Sequence, residues 1–266
     1  MLIVAVLVSA AAQAAAPEPV EIEGKLKGAL YKPEGNGPFP AIVALHGCDG
    51  LLEKAVVAPR YADWAERLAA GGFVVLFPDS FAARGIGPQC GVGQRSLHSG
   101  RERIGDAEAA KHYLQAQPYV AADRVSLIGW AQGGVAALWA VRPGGINKKD
   151  GKPDFRSAVA FFPGCRRLRD TAWSARLPTL ILIGAKDDWT PASYCEQMVA
   201  GAKGRTARTS IRVYPNAYHD FDHPDLPLQQ RSNVAIAAGP IARVHVGTDA
   251  AARADAIKRV PEWIGR

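Results

Sequence analysis

The 266-residue chain predicts an α/β protein, a mostly parallel, doubly wound sheet with helices on both faces, and three observations point to it. From residue 39 onward, short runs rich in Val, Ile, Leu and Phe alternate with longer stretches of helical character. Those runs are continuously apolar rather than alternating, as expected of strands buried on both faces of a parallel sheet. Residues 126–134, Ser-Leu-Ile-Gly-Trp-Ala-Gln-Gly-Gly, place Gly129 and Gly133 two positions either side of residue 131, which reads as a tight strand-to-helix turn.

Taken in order, Val20–Leu30 reads as an antiparallel leading strand or hairpin. Strands follow at Ala41–Leu45, Phe73–Phe77, Arg124–Ile128, Ala158–Phe162, Thr179–Ile183 and Ser210–Tyr214. Helices are expected over Val56–Ala70, Gly105–Gln117, Gly133–Val141 and Ala192–Ala202, with a closing helix over Ala250–Ile264 that Pro261 interrupts. The Gly-, Pro- and Lys-rich stretch Arg142–Pro153 is a surface excursion, so residues 17–266 are expected to form one domain. Strand–helix alternation implies right-handed crossovers, and ligands then bind outside the carboxyl ends of the strands.

Composition narrows the function classes. With 48% hydrophobic and 21% charged residues the chain reads as a compact soluble body. The net charge of +7 comes without a Lys/Arg run interleaved with aromatics, so a diffuse positive surface is expected rather than a nucleic-acid partner. Residues 1–16, MLIVAVLVSAAAQAAA, read as a signal peptide: the apolar stretch is too short to span a bilayer, and Ala12-Gln13-Ala14 fits a cleavage site. A periplasmic or secreted location follows as an expectation. In that setting the four cysteines suggest disulfides, Cys48–Cys90 and Cys165–Cys195, each joining loops at the same end of the sheet. The alternative is four buried thiols. No Cys/His spacing suits a zinc site, so no metal is expected.

The turn at 126–134 carries the chemistry. It matches the nucleophile elbow of α/β-hydrolases, G-x-S-x-G, except that Ala131 occupies the nucleophile position. A methyl group cannot attack a carbonyl. In the run LILIGAKDDWTP, Asp187 falls at the end of a strand, where it can orient an imidazole. Its neighbour Asp188 is a rival, better explained as a cap for the following helix. After the last strand comes Tyr214-Pro-Asn-Ala-Tyr-His219-Asp-Phe, and His219 completes the chain order nucleophile, acid, histidine. His223 is a nearby competitor in a proline-flanked loop.

An oxyanion hole needs two backbone N–H groups aimed at the developing charge. Gln132, next after the elbow residue, supplies one; the loop His46-Gly-Cys-Asp-Gly50 supplies the other, with the Cys48 amide as the candidate. Cys48 as a substitute nucleophile lies on the wrong loop. Arg84, with His98, Arg101 and Arg103, could hold a substrate carboxylate, or simply form solvated loop pairs. Trp130, Trp189 and Tyr218 border the site in sequence and could line an acyl pocket, or merely pack the loops.

The runs HGCDG, FPDSFAARG, GWAQGG, FFPGC, LIGAKDDWTP and YHDF together resemble the dienelactone hydrolase family, and more closely its exported bacterial branch, over residues 20–264. The resemblance implies a triad hydrolase of esters or lactones, acting on a small molecule without metal or organic cofactor. It maps the triad onto Ala131, Asp187 and His219, and the departure at 131 falls on the residue that turnover needs. Two readings follow: a hydrolase disarmed at its nucleophile so that it traps substrate, or a natural pseudoenzyme that binds a small ligand. A third, water activation by His219, predicts hydrolysis by the chain as it stands.

Overall fold

The structure is a computed structural model that describes residues 16–146, 151–235 and 241–265; the expected signal peptide, bar Ala16, lies outside the described residues. An eight-stranded sheet runs in the order β1-β2-β6-β3-β7-β8-β9-β10. Its strands are β1 (Glu18–Glu23), β2 (Leu26–Tyr31), β3 (Phe39–Leu45), β6 (Val74–Pro78), β7 (Val120–Trp130), β8 (Ala158–Phe161), β9 (Thr179–Gly184) and β10 (Thr209–Tyr214). β1 and β2 join antiparallel, and β2 pairs antiparallel with β6. Every pairing from β6 across to β10 is parallel. β6, β8 and β9 are buried along their whole length, which is why their sequences carry apolar side chains at successive positions.

The helices are α1 (Pro59–Ala70), α2 (Glu102–Gln115), α3 (Gln132–Ala140), α4 (Arg166–Arg169), α5 (Ala192–Gly201) and α6 (Ala250–Ile264). α1 starts later than its sequence suggests. Residues 52–57 instead form a small hairpin, β4 (Leu52–Glu53) and β5 (Val56–Val57), turned by Lys54 and Ala55 at positive φ; the helix then opens on Pro59, whose missing N–H costs nothing there. α6 is capped by Asp249, whose carboxylate accepts from the Ala252 N–H at 2.8 Å. The expected interruption at Pro261 is not observed. The helix runs through it to Ile264, because so near the end only one hydrogen bond is forfeited.

A larger element also has no counterpart in the sequence reading. After the last strand of the main sheet the chain forms a separate antiparallel hairpin, β11 (Gln229–Ala235) with β12 (Ile241–Val246). It sits against the site end of the sheet: Val246 bridges His219, and the Ala235 N–H donates to the Cys90 carbonyl at 2.7 Å. Val234, Val244 and Val246 pack there with Trp189 and with the two cysteines Cys48 and Cys90 in a small apolar cluster of their own. The structure holds two disulfides, Cys48–Cys90 and Cys165–Cys195. Among the described residues no helix is long and apolar enough to cross a membrane.

Candidate active site

The elbow is built from close backbone approach. A Cβ on Gly129 would lie 2.2 Å from the Gly133 carbonyl oxygen, and one on Gly133 would lie 2.0 Å from that of Leu45. Only glycine fits at either position. Between them Ala131 takes φ 46° and ψ −110°, a conformation L-residues avoid. Its carbonyl accepts the Val135 N–H at 2.9 Å, so the strain is locked into the start of α3. The strained turn is complete, and a methyl group stands on it.

Asp187 and His219 come together at the ends of β9 and β10. The Nδ1 atom of His219 lies 2.8 Å from Asp187 Oδ2, and both side chains are buried. The other Asp187 oxygen accepts the backbone N–H groups of Trp189 and Thr190 at 3.0 and 2.7 Å. Thr190 also donates its hydroxyl to Asp187 Oδ2 at 2.8 Å. Asp187 held this way fixes the imidazole with its Nδ1 proton toward the acid, leaving Nε2 for chemistry. The ring also packs at a tilt against Phe162 and Trp189, at centroid distances of 4.4 and 4.6 Å. Burial alone would lower the pKa of His219, but the charge and hydrogen bond of Asp187, together with the charge of Asp220, outweigh it and the net displacement is upward.

The loop after β3 passes beside the elbow. A Cβ on Gly47 would lie 3.6 Å from that of Ala131, which places the Gly47–Cys48 segment over residue 131. The Gly47 N–H donates to the Tyr61 hydroxyl at 2.7 Å. Gln132 opens α3, so its N–H has no acceptor within the helix. Cys48 follows Gly47 in that loop, and the Cys48–Cys90 disulfide anchors the loop to the segment beneath the hairpin.

Other expected residues lie elsewhere. Trp130 does not line a pocket: it is fully buried beneath the elbow, stacked between Phe77 and Phe161, because strand alternation turns its side chain into the core. Arg84 is engaged by Asp106 through two hydrogen bonds at 2.9 and 3.0 Å and lines a surface cleft with Glu23–Leu26. Arg101 pairs with Glu102 and is exposed, and His98 is exposed as well. Arg103 is completely buried with none of its three nitrogens hydrogen-bonded within the described residues; burial takes its pKa down to about 10. Asp188 turns outward to His245 of the hairpin at 2.8 Å. His223 is half-buried and accepts the Asp225 N–H at 3.2 Å. Tyr218, also half-buried, faces the His245 ring at 5.3 Å. Cys48, Asp49 and Cys90 are the one cluster of metal-ligand atoms among the described residues, but both sulfurs are consumed in the disulfide.

Several residues beside the site carry no sequence signal. Asp220 pairs with Arg60 at 2.7 Å, and Asp222 accepts the indole N–H groups of Trp64 and Trp130 at 2.8 and 2.6 Å. The doublet Asp220–Asp222 around a buried Phe221 could have announced a buried cation, but nothing local says it comes from the start of α1.

The comparisons agree with this architecture. The chain is 24% identical over 213 residues to the carboxymethylenebutenolidase of Pseudomonas putida, covering 75% of this chain and 82% of that enzyme. It is 23% identical over 235 residues to the uncharacterized peptidase YuxL of Bacillus subtilis, of whose length it spans only 35%. The fold is also that of esterase 2 of Thermogutta terrifontis phosphoramylated by tabun, with a TM-score of 0.65 over 97% of each chain at 16% identity. The model of the dienelactone hydrolase family matches residues 26–266, and the chain belongs to that family.

Proposed function

We propose that this chain is an exported, cofactor-independent ester or lactone hydrolase site whose nucleophile position is filled by Ala131, so that it binds its substrate without turning it over. The observation that carries the reading is the strained elbow at Ala131, kept beside a buried Asp187–His219 pair. Such strain persists where a function requires it. The name of the Pseudomonas putida relative, a carboxymethylenebutenolidase, supports a lactone or ester of a small carboxylic acid as the ligand class. Two disulfides are consistent with export to an oxidising compartment.

The chemistry follows from the positions. A hydroxyl on residue 131 would lose its proton to His219 Nε2 while attacking the carbonyl, with Asp187 stabilising the imidazolium. The amides of Cys48 and Gln132 would receive the oxyanion. His219 would then return its proton to the leaving alcohol and activate water for deacylation. Without the hydroxyl the cost is on the order of a million-fold in turnover, with little change in binding.

The test is hydrolysis of a panel of short- and medium-chain esters and simple lactones by this chain and by Ala131→Ser. A gain of several orders of magnitude, removed again by adding His219→Ala, is expected. A folded Ala131→Ser protein inert across the panel would sink the hydrolase reading and leave a ligand-binding pocket. Hydrolysis by the unaltered chain that His219→Ala abolishes would instead show direct water activation.

A further inference from the structure

The nitrogen of His219 that must serve the reacting group has a competitor next to it. Asp220 Oδ1 lies 4.0 Å from His219 Nε2, and both side chains are buried. The backbone brings it there: Asp220 has φ 64°, so the chain doubles back immediately after the histidine. Once the ring is protonated, a carboxylate this close to its Nε2–H can close to a charge-assisted hydrogen bond. Here the same oxygen is taken by Arg60, whose Nη2 lies 2.7 Å away.

Arg60 is itself held on several sides. Its Nε lies 3.5 Å from Asp222 Oδ1, and its guanidinium lies over the Phe162 ring at 5.5 Å, the ring that packs against His219. The next residue, Tyr61, accepts the Gly47 N–H of the oxyanion loop, and Trp64 one turn later donates to Asp222. The first turns of α1 therefore touch the oxyanion loop, the strand that enters the elbow and the loop that carries His219.

We infer that Arg60 is a positioning residue: its guanidinium holds the Asp220 carboxylate off His219 Nε2, so that this nitrogen stays open to the group reacting above residue 131. The inference rests on His219 being the site's base, as proposed above, but its test does not require turnover. The charged groups facing the imidazole are Asp187 on the Nδ1 side, Asp220 on the Nε2 side and Arg60 behind Asp220. Further out, Arg231 of the hairpin and His223 act on Asp220, and Arg231 is itself paired with Asp49. After the lowering effect of burial, Asp187 and Asp220 both raise the pKa of His219 while Arg60 lowers it, so freeing Asp220 from Arg60 is expected to strengthen its hold on the protonated ring, with His219 itself and Arg231 still favouring the Asp220 carboxylate.

The experiment is an NMR titration of the His219 ring in the chain as it stands and in its variants. Arg60→Gln is expected to raise the pKa of His219 by about one unit or more, the shift usual for a carboxylate brought into contact. Asp220→Asn alone should lower it, and combining the two should cancel most of the rise. Should Arg60→Gln fail to fold, Arg60→Lys is read instead, with a smaller rise in the same direction. No rise in a folded Arg60 variant, or a rise that survives Asp220→Asn, would overturn the inference. In the Ala131→Ser background the acid limb of kcat/KM should move in parallel. An Ala131→Ser protein inert on every ester would refute the hydrolase reading while leaving the titration to decide this one.

Discussion

Two arginines are buried close to the elbow, and burial is all they share. Arg60 sits among acids, with Asp220 at 2.7 Å and Asp222 at 3.5 Å, and their charges more than offset the desolvation that would lower its pKa. Arg103, at the start of α2, lies over Phe81 at 5.7 Å, and its guanidinium makes no hydrogen bond to any described residue. The nearby Asp106 is spoken for by Arg84. His46 beside it is kept neutral by its own burial and by the charge of Arg103. The contrast separates two uses of a buried cation: on the α1 side it ties loops together, whereas on the α2 side it stands as a charge with little holding it. A buried ion pair resists losing one member far more than it repays having both.

That difference can be broken by substitution. Arg60→Met would strand Asp220 and Asp222 and should cost about 3–5 kcal/mol in urea unfolding. A loss below about 1 kcal/mol would mean the network is solvated and the contrast false. Asp222→Asn keeps acceptors for the two indoles but drops the charge, and should cost about 1–3 kcal/mol. Arg103→Met removes a charge without orphaning an acid hydrogen-bonded to it, so stability should change by less than about 1 kcal/mol or rise. A loss as large as that of Arg60→Met would show that Arg103 has a comparable partner.

The gentlest probe is pH. The folded pKa of His219 is raised above its ordinary 6.5 by Asp187 and, less, by Asp220, against the lowering effect of burial. The stability this pairing contributes is therefore fully present below the unfolded value and is lost as pH rises through the folded one. The urea midpoint should fall over that window, and His219→Gln should flatten the fall. A midpoint that rises across it would contradict the pairing.

The same contrast explains what was legible in the sequence. The central strands and most helices were readable because continuous apolar runs and helical spacing are local. The elbow was readable because its glycines answer a steric demand inside nine residues, Ser126 to Gly134. Asp187 and His219 could be placed because each lies in the loop just after a strand. The Arg60–Asp220–Asp222 network could not, since Arg60 lies far along the chain from the two acids and meets them only by packing. The β11–β12 hairpin was missed for another reason: Gln229-Gln-Arg-Ser-Asn233 has little β-propensity and mostly faces water, so only its last residues carry a buried side. Trp130 was misplaced because proximity in sequence to the elbow says nothing about which face of β7 it leaves.

The backbone at residue 131 has a genetic consequence. The strained φ and ψ, the flanking glycines and the Asp187–His219 pair are all in place without a hydroxyl. Alanine and serine codons can differ by a single base. Reversion would therefore require no compensating change in the fold, and on the reading proposed here the chain stands one mutational step from an armed site.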